Sequence, residues 1–445
     1  MQQRATSAGD AFWTLDPFAL VRPGDPWYAE IEACFPRARY GLRAAVIRRL
    51  TPTSTSPEFV HVGVVGHGGT GKTTQVWRAI EELATHRIVG VPVDAQASLD
   101  QGNFSFSDVM LVIARSVIAT LESNGIDLPH REVELLRLWF ADELLTETHR
   151  RDLVGTLQTE AGLGVRLLAT LSAKVTAVLR SDNEYRQEIR RRAERDPADL
   201  VRRTNQILDA AAAAWSRTRN GSVRLAVVVD NLEKLADRRQ VDAAVLRRAD
   251  EFRQLRCHLV LFFNPHDQYA PVTVQAGQAF DVVTMPMLPL RRRTESPDHV
   301  DEAALNAART LLDKRVDLER VFVDSERCLQ SITKLSGGRL RDLLQLPRMA
   351  CELADPDRVT PEHIELVAKR LAGERVTLAK PEHWPRLAEI HRDKHVANRE
   401  DDAHLLLHSL VLNYDGEPWW DVHPLVRLDE RFDAAWRSLS RVATP

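Results

Sequence analysis

Along the first two thirds of the chain, short apolar runs alternate with amphipathic stretches; beyond Pro289 amphipathic stretches predominate. Phe59 to Val65 is rich in β-branched residues and ends at a glycine run, and Ile88 to Val93, Leu225 to Val229, His258 to Phe263 and Asp281 to Met285 are further short apolar runs. Nearly continuous apolar runs of this length mark strands buried on both faces of a parallel sheet. Between the first two, Thr73 to Thr85 carries Val76, Ile80 and Leu83 at helical spacing. Residues 104–220 read as mostly helical, with breaks at Gly125, Pro129 and Pro197. Strands alternating with helices predict an α/β fold with a doubly wound, mostly parallel sheet.

The pattern also divides the chain. Residues 1–57 form an N-terminal extension, in which Pro17, Pro23, Pro26 and Pro36 exclude long helices before a predicted helix over Ala38 to Leu50, and Thr51 to Pro57 reads as a loop. Residues 58–290 hold the sheet, with a helical insertion over about 104–220. Residues 291–371 read as an all-α lid with helices over Val300 to Lys314, Glu326 to Leu335, Arg339 to Ala354 and Pro361 to Leu371, the last capped by Thr360 with Pro361 in its first turn. Residues 372–445 form a small α+β module, in which the apolar run His404 to Leu412 and the segment Pro418 to Leu425 flank Asp415-Gly416, a hairpin turn signal.

Composition narrows the class. With 60 basic and 63 acidic side chains and a net charge of −3, the chain is no constitutively basic nucleic-acid sleeve. Cys34, Cys257, Cys328 and Cys351 make neither a disulfide framework nor a close metal-ligand pair, so they read as reduced thiols of a cytoplasmic protein. No apolar run approaches the roughly 20 residues that span a bilayer, and no membrane association is expected.

The chemistry begins at Gly66-His67-Gly68-Gly69-Thr70-Gly71-Lys72-Thr73-Thr74, between the first strand and the first helix of the sheet region. Glycines let consecutive backbone N–H groups turn inward around a polyphosphate, and the following helix presents its positive end. Lys72 would reach the terminal phosphates of ATP, and Thr73 would hold Mg²⁺ through its hydroxyl. A second element is Leu225 to Asp230, an apolar strand that ends in the carboxylate that would complete the Mg²⁺ site. Asn231 follows it and cannot accept a proton; Glu233 is the nearest candidate base, with a plain dipole-complementing acid as the alternative. Asn264, at the end of His258 to Phe263, has the type and place to orient water, and it also opens an Asn-Pro turn.

These elements resemble the AAA+ and STAND-like branch of P-loop ATPases over about residues 38–371. Gly66 to Thr73 matches the Walker A element, Asp230 the Walker B aspartate and Asn264 the sensor-1 residue. Ser336-Gly337-Gly338-Arg339-Leu340-Arg341-Asp342-Leu343-Leu344 looks like the sensor-2 start of a lid helix, with Arg341 best aligned and Arg339 competing, and a surface salt bridge as the alternative for either. The resemblance implies an ATPase switch or motor whose lid reports nucleotide state, acting as a homo-oligomer, with a protein partner engaged through the insertion or the C-terminal module. An arginine finger would come from Arg247, Arg248, Arg253 or Arg256, each otherwise part of a solvated helix face. Asn231 and the long gap from Thr73 to Asp230 depart from the pattern and imply slow hydrolysis and an insertion. Asp230 to Glu233, the insertion and the tail are similar to ATPases of prokaryotic conflict and antiviral loci.

Other features read more plainly. Arg190 to Arg192, Arg202-Arg203 and Arg291 to Arg293 could hold nucleic-acid phosphates, but interleaved acids favour salt-bridged faces, at least for the first. Trp419, Trp420 and His423 fit the core of the last module better than a recognition surface. A GTPase would need an Asn-Lys-x-Asp run, which is absent. A small-molecule kinase, an ATP-binding scaffold with little hydrolysis and a DNA-loading or transposition helper are the alternatives to a switch.

Overall fold

The computed structural model describes residues 4–36, 40–53, 55, 58–129, 131–134, 169–170, 172–173, 176–177, 184–235, 238–269, 274–414 and 419–442. The apolar runs form five parallel strands, β1 (His61–Val65), β2 (Ile88–Asp94), β3 (Arg224–Asp230), β4 (His258–Phe263) and β5 (Asp281–Thr284). Their order is β2-β3-β4-β1-β5. β4 lies between β1 and β3, with His61 opposite Leu259 and Val229 opposite Leu261. Ligands of open parallel sheets bind at the carboxyl ends of such strands, where the order of the chain reverses; here that end carries the glycine loop, Asp230 and Asn264.

Side chains alternate between the two sheet faces, as strand geometry requires. Val89, Val91, Leu225, Val227, Leu259 and Leu261 join one core, completed by two long helices of the region read as an insertion. Val62, Val64, Ala226, Val228, Val260 and Phe262 join the other, which continues without a break into the lid helices and the N-terminal extension. The helices are α1 (Ala8–Thr14), α2 (Leu42–Leu50), α3 (Lys72–Leu83), α4 (Phe106–Ser123), α5 (Glu184–Glu194) and α6 (Pro197–Thr218). α4 starts at a Ser105/Asp108 capping box, and α6 at an Asp196 cap with Pro197 in its first turn. α4 packs on β2 and on α6, so both ends of segment 104–220 serve as sheet-covering layers. Its middle lies largely outside the described residues.

The region read as a lid comprises α7 (Glu302–Asp313), α8 (Ser325–Leu335), α9 (Leu340–Ala354) and α10 (Pro361–Val376). α10 runs on past Leu371, because Ala372 and Val376 stay on its buried side. The last module holds α11 (His383–Asp393), α12 (Glu400–Leu407), β6 (Val411–Tyr414), β7 (Trp419–Val422) and α13 (Glu430–Val442). The apolar stretch at His404 to Leu412 divides between α12 and β6, with Ser409 in the left-handed region at the corner. β6 and β7 pair antiparallel, Tyr414 opposite Trp419; the turn at Asp415-Gly416 lies outside the described residues. Trp420 and the α11 side chains Trp384, Leu387 and Ile390 share this module's own core. Among the described residues no helix is long and apolar enough to cross a membrane.

Candidate nucleotide site

The glycine loop leaves β1 at Gly66, whose N–H donates to the Phe263 carbonyl on β4 (3.1 Å). Gly69 and Gly71 have φ of +84° and +91°, and a Cβ on Gly69 would stand 2.6 Å from that of Arg341. Only glycine combines that backbone with so close an approach of the lid. Gly71 then starts α3. Lys72 is buried, and its ammonium donates to the carbonyls of Gly66 (2.6 Å) and His67 (2.9 Å). Burial lowers its pKa, while the nearby Glu233 and Asp230 carboxylates oppose the shift.

β3 delivers Asp230 to the same place. The Thr73 hydroxyl donates to Asp230 Oδ1 at 3.0 Å, across the width of β4. Burial raises the Asp230 pKa, and Glu233 adds like-charge repulsion. An alcohol and a carboxylate in this contact are hard oxygen donors, the set that Mg²⁺ accepts, and a dication would relieve the repulsion that raises this pKa.

Asn231 follows at φ +61°. Its side-chain amide donates to Asp94 Oδ1 (3.0 Å), at the end of β2 directly opposite Asp230. It is therefore committed to a neighbouring strand. Glu233 lies in the short turn Leu232–Lys234, lines the cavity and leaves Oε2 buried without a hydrogen bond. Asn264 opens the Pro265 turn, its N–H donating to Asp267 (2.8 Å), and it lines the cavity while its side-chain amide donates to the Glu233 carbonyl (2.9 Å).

The region read as a lid lines the far side. Arg339 Nε donates to the Gly68 carbonyl (2.8 Å), and the Arg341 N–H to that of Gly69 (3.0 Å). The Arg341 guanidinium stacks over Phe18, 5.1 Å from the ring centre, and its Nε is buried without a hydrogen bond. Burial, then the Arg339 charge, push its pKa down. Both arginines line a cavity of about 440 Å³ together with Gly68, Lys72, Thr73 and Glu233.

Three loop side chains bond within the protein. His67 is buried with Nδ1 at 3.3 Å from the Ser409 hydroxyl, Thr70 bonds back to the His67 carbonyl (3.0 Å), and the Thr74 hydroxyl donates to the Val21 carbonyl (2.9 Å). His67 and Thr70 thus offer a ligand their backbone alone.

The cavity also has a wall that the sequence did not announce. Phe18, Val21, Trp27 and Tyr28 of the N-terminal extension line it, with Leu311 and Arg315 of the lid. The extension is pinned there by Arg315, which stacks on Trp27 and donates to its carbonyl (3.2 Å), and by Arg348, which stacks on Phe12 and pairs with Asp16 (3.3 Å). A concentration of Trp, Phe and Tyr between prolines was the available signal.

The basic clusters are largely committed within the chain. Arg190 is buried against Asp108 and Asn103, and Arg192 pairs with Glu188. Arg202 and Arg203 pair with Asp199. Arg291 is buried against Asp421, and Arg293 donates to the Asp393 carbonyl. The finger candidates Arg247, Arg248, Arg253 and Arg256 pair with Asp242, Glu251, Asp250 and Asp209 at 2.7–2.9 Å, as a salt-bridged face would. Among the described residues the remaining cluster of metal-ligand type is Glu295, His299 and Asp301, of which His299 is exposed and the other two half-buried, away from the cavity lining.

No protein-family model and no curated protein matches the sequence. Several solved structures are similar at low identity. The Aeropyrum pernix ORC1 protein in complex with DNA is 14% identical, over 97% of this chain and 98% of that one, with a TM-score of 0.41. The A. pernix ORC2 protein in ADPNP-ADP complexes is 13% identical over 96% and 98%, with a TM-score of 0.39. The Walker-type ATPase PABY2304 of Pyrococcus abyssi is 11% identical over 95% and 99%, with a TM-score of 0.42.

Proposed function

We propose that the chain is an ATPase switch: it binds Mg²⁺ and ATP at the glycine loop, hydrolyses the ATP and passes the change to its lid and C-terminal module. The observation that carries this reading is the 3.0 Å contact between Thr73, at the start of α3, and Asp230, at the end of a strand two positions away in the sheet. Backbone amides of Gly68 to Lys72 and the Lys72 ammonium would hold the phosphates, and Thr73 and Asp230 would hold the metal, which supplies charge neutralisation. Glu233, free at Oε2 and facing the cavity, takes the role of base; Asn264 positions its backbone; Arg341 offers the lid's cation to the terminal phosphate.

Lys72→Ala is expected to abolish ATP binding, measured by equilibrium titration, without loss of fold by circular dichroism; undiminished affinity removes the site. Glu233→Gln is expected to keep ATP affinity within a few-fold and to slow a single turnover by about 10²–10⁴-fold, the range of a general base. A slow wild-type enzyme unaffected by that change favours the second reading, an ATP-held scaffold, which the diversion of Asn231 to Asp94 supports. Homo-oligomerisation and engagement of a protein partner rest on the family resemblance; the particle mass with and without ATP decides the first.

A further inference from the structure

We propose that the C-terminal module positions Arg339 on the phosphate loop through Asp342, making Asp342 and His423 positioning residues of the nucleotide site. The inference rests on the ATP reading above and assigns that site an internal regulator.

The module reaches the site at three places. The Ser336-Gly337-Gly338 turn that introduces Arg339 is one. A Cβ on Gly337, at φ +61°, would stand 2.6 Å from Leu412 and 2.8 Å from Pro424, and its carbonyl accepts from the Tyr414 hydroxyl (2.8 Å). A Cβ on Gly338 would stand 2.1 Å from the Leu288 carbonyl oxygen. The two glycines thus let the module and the segment after β5 press directly on the backbone before Arg339. Ser409, beside His67 of the loop itself, is the second place.

Asp342 is the third. It is 1% exposed, and its carboxylate accepts from Arg339 Nη1 (3.0 Å), Arg375 Nη2 (2.7 Å) and His423 Nε2 (2.9 Å). The Leu425 N–H donates to His423 Nδ1 (3.1 Å), which makes Nδ1 an acceptor and puts the ring proton on Nε2, toward Asp342. Burial first, then the Arg375 charge, keep this imidazole neutral, its pKa lowered to about 3. Arg339 therefore has one end fixed to Asp342 and the other, through Nε, to the Gly68 carbonyl. A shift of His423 moves the carboxylate, and with it the guanidinium on the loop.

The test is the ratio of ATP to ADP affinity in the full chain, for wild type, Arg339→Ala, His423→Ala and the double variant, with His423→Gln and His423→Asn beside them. Loss of a charge-assisted contact predicts a ratio about tenfold lower in Arg339→Ala and His423→Ala. The double variant should be no worse than Arg339→Ala, because both changes break one chain of contacts. The Gln amide reaches Asp342 from the place of Nε2 and should restore most of the ratio; Asn falls short and should not. Additive losses, a His423→Ala ratio equal to wild type, or Gln and Asn alike overturn the inference. Should His423→Ala fail to fold, the Gln–Asn contrast decides alone. A wild-type chain that binds no ATP removes the nucleotide reading and this linkage with it; one that binds ATP beside an unaffected His423→Ala removes the linkage only.

Discussion

Replacing Asp230 by Asn is expected to lower Mg²⁺-dependent ATP turnover by about a thousandfold, the several kcal/mol that a correctly held metal contributes. The residue change is small in volume, and Asn can still accept from the Asn231 N–H that Asp230 Oδ1 accepts at 2.8 Å. What is lost is charge. Asp230 is a partly desolvated anion that faces Glu233; the Asn231 N–H, the Thr73 hydroxyl and the Lys234 charge offset this only in part, so it suits a dication. Turnover measured against Mg²⁺ concentration, with thermal unfolding as a control, checks it. A variant that matches wild type at every Mg²⁺ concentration would mean that the metal is held elsewhere.

Asp342→Ala is expected to be the most destabilising single change near the site, by about 3–5 kcal/mol, because it leaves two arginines in the interior without their carboxylate. Burial alone would raise the Asp342 pKa; Arg339, Arg375 and His423 outweigh it and hold the group well below the usual carboxylate range. A carboxylate with a depressed folded pKa contributes stability in full above its unfolded pKa and loses it as pH falls through the folded one. The gap between wild type and variant should therefore be widest at neutral pH, start to narrow below the ordinary carboxylate range and close only in stronger acid. Urea unfolding at two pH values measures it, and a neutral-pH difference under about 1 kcal/mol contradicts the network.

The two predictions differ in how far the sequence foreshadows them. Asp230 is legible because its signal is local: an apolar run that ends in a carboxylate, as the glycine loop is a run that ends in Lys72 and Thr73. The alternation of apolar strands and amphipathic helices likewise makes the parallel sheet readable, since both periods are set within a few residues. Asp342 carries no such mark. Its partners Arg375 and His423 come from another helix and another module, and no periodicity encodes a meeting of that kind. The same holds for Phe18 and Tyr28 at the cavity wall, and for Asn231, whose amide is claimed by Asp94 on a strand that pairs with β3 from far away in the chain. Charge runs mislead for a related reason. Arg190 reads as part of a face salt-bridged to interleaved acids, yet it is buried on the distant Asp108, and Arg291, in a run that could hold phosphates, is buried on Asp421. The two arginines that compete in the sequence differ in their contacts: Arg341 faces Phe18 with Nε unpaired, and Arg339 is fastened to the loop.

Direct titration of the full chain with ATP, with and without Mg²⁺, and of Thr73→Ala beside it, bears most directly on the pocket where α3 begins. Saturable binding of one ATP per chain that Mg²⁺ tightens, with the Mg²⁺ effect lost in Thr73→Ala, is the predicted result. No binding at millimolar ATP, or a Mg²⁺ effect that survives the loss of the Thr73 hydroxyl, would contradict it.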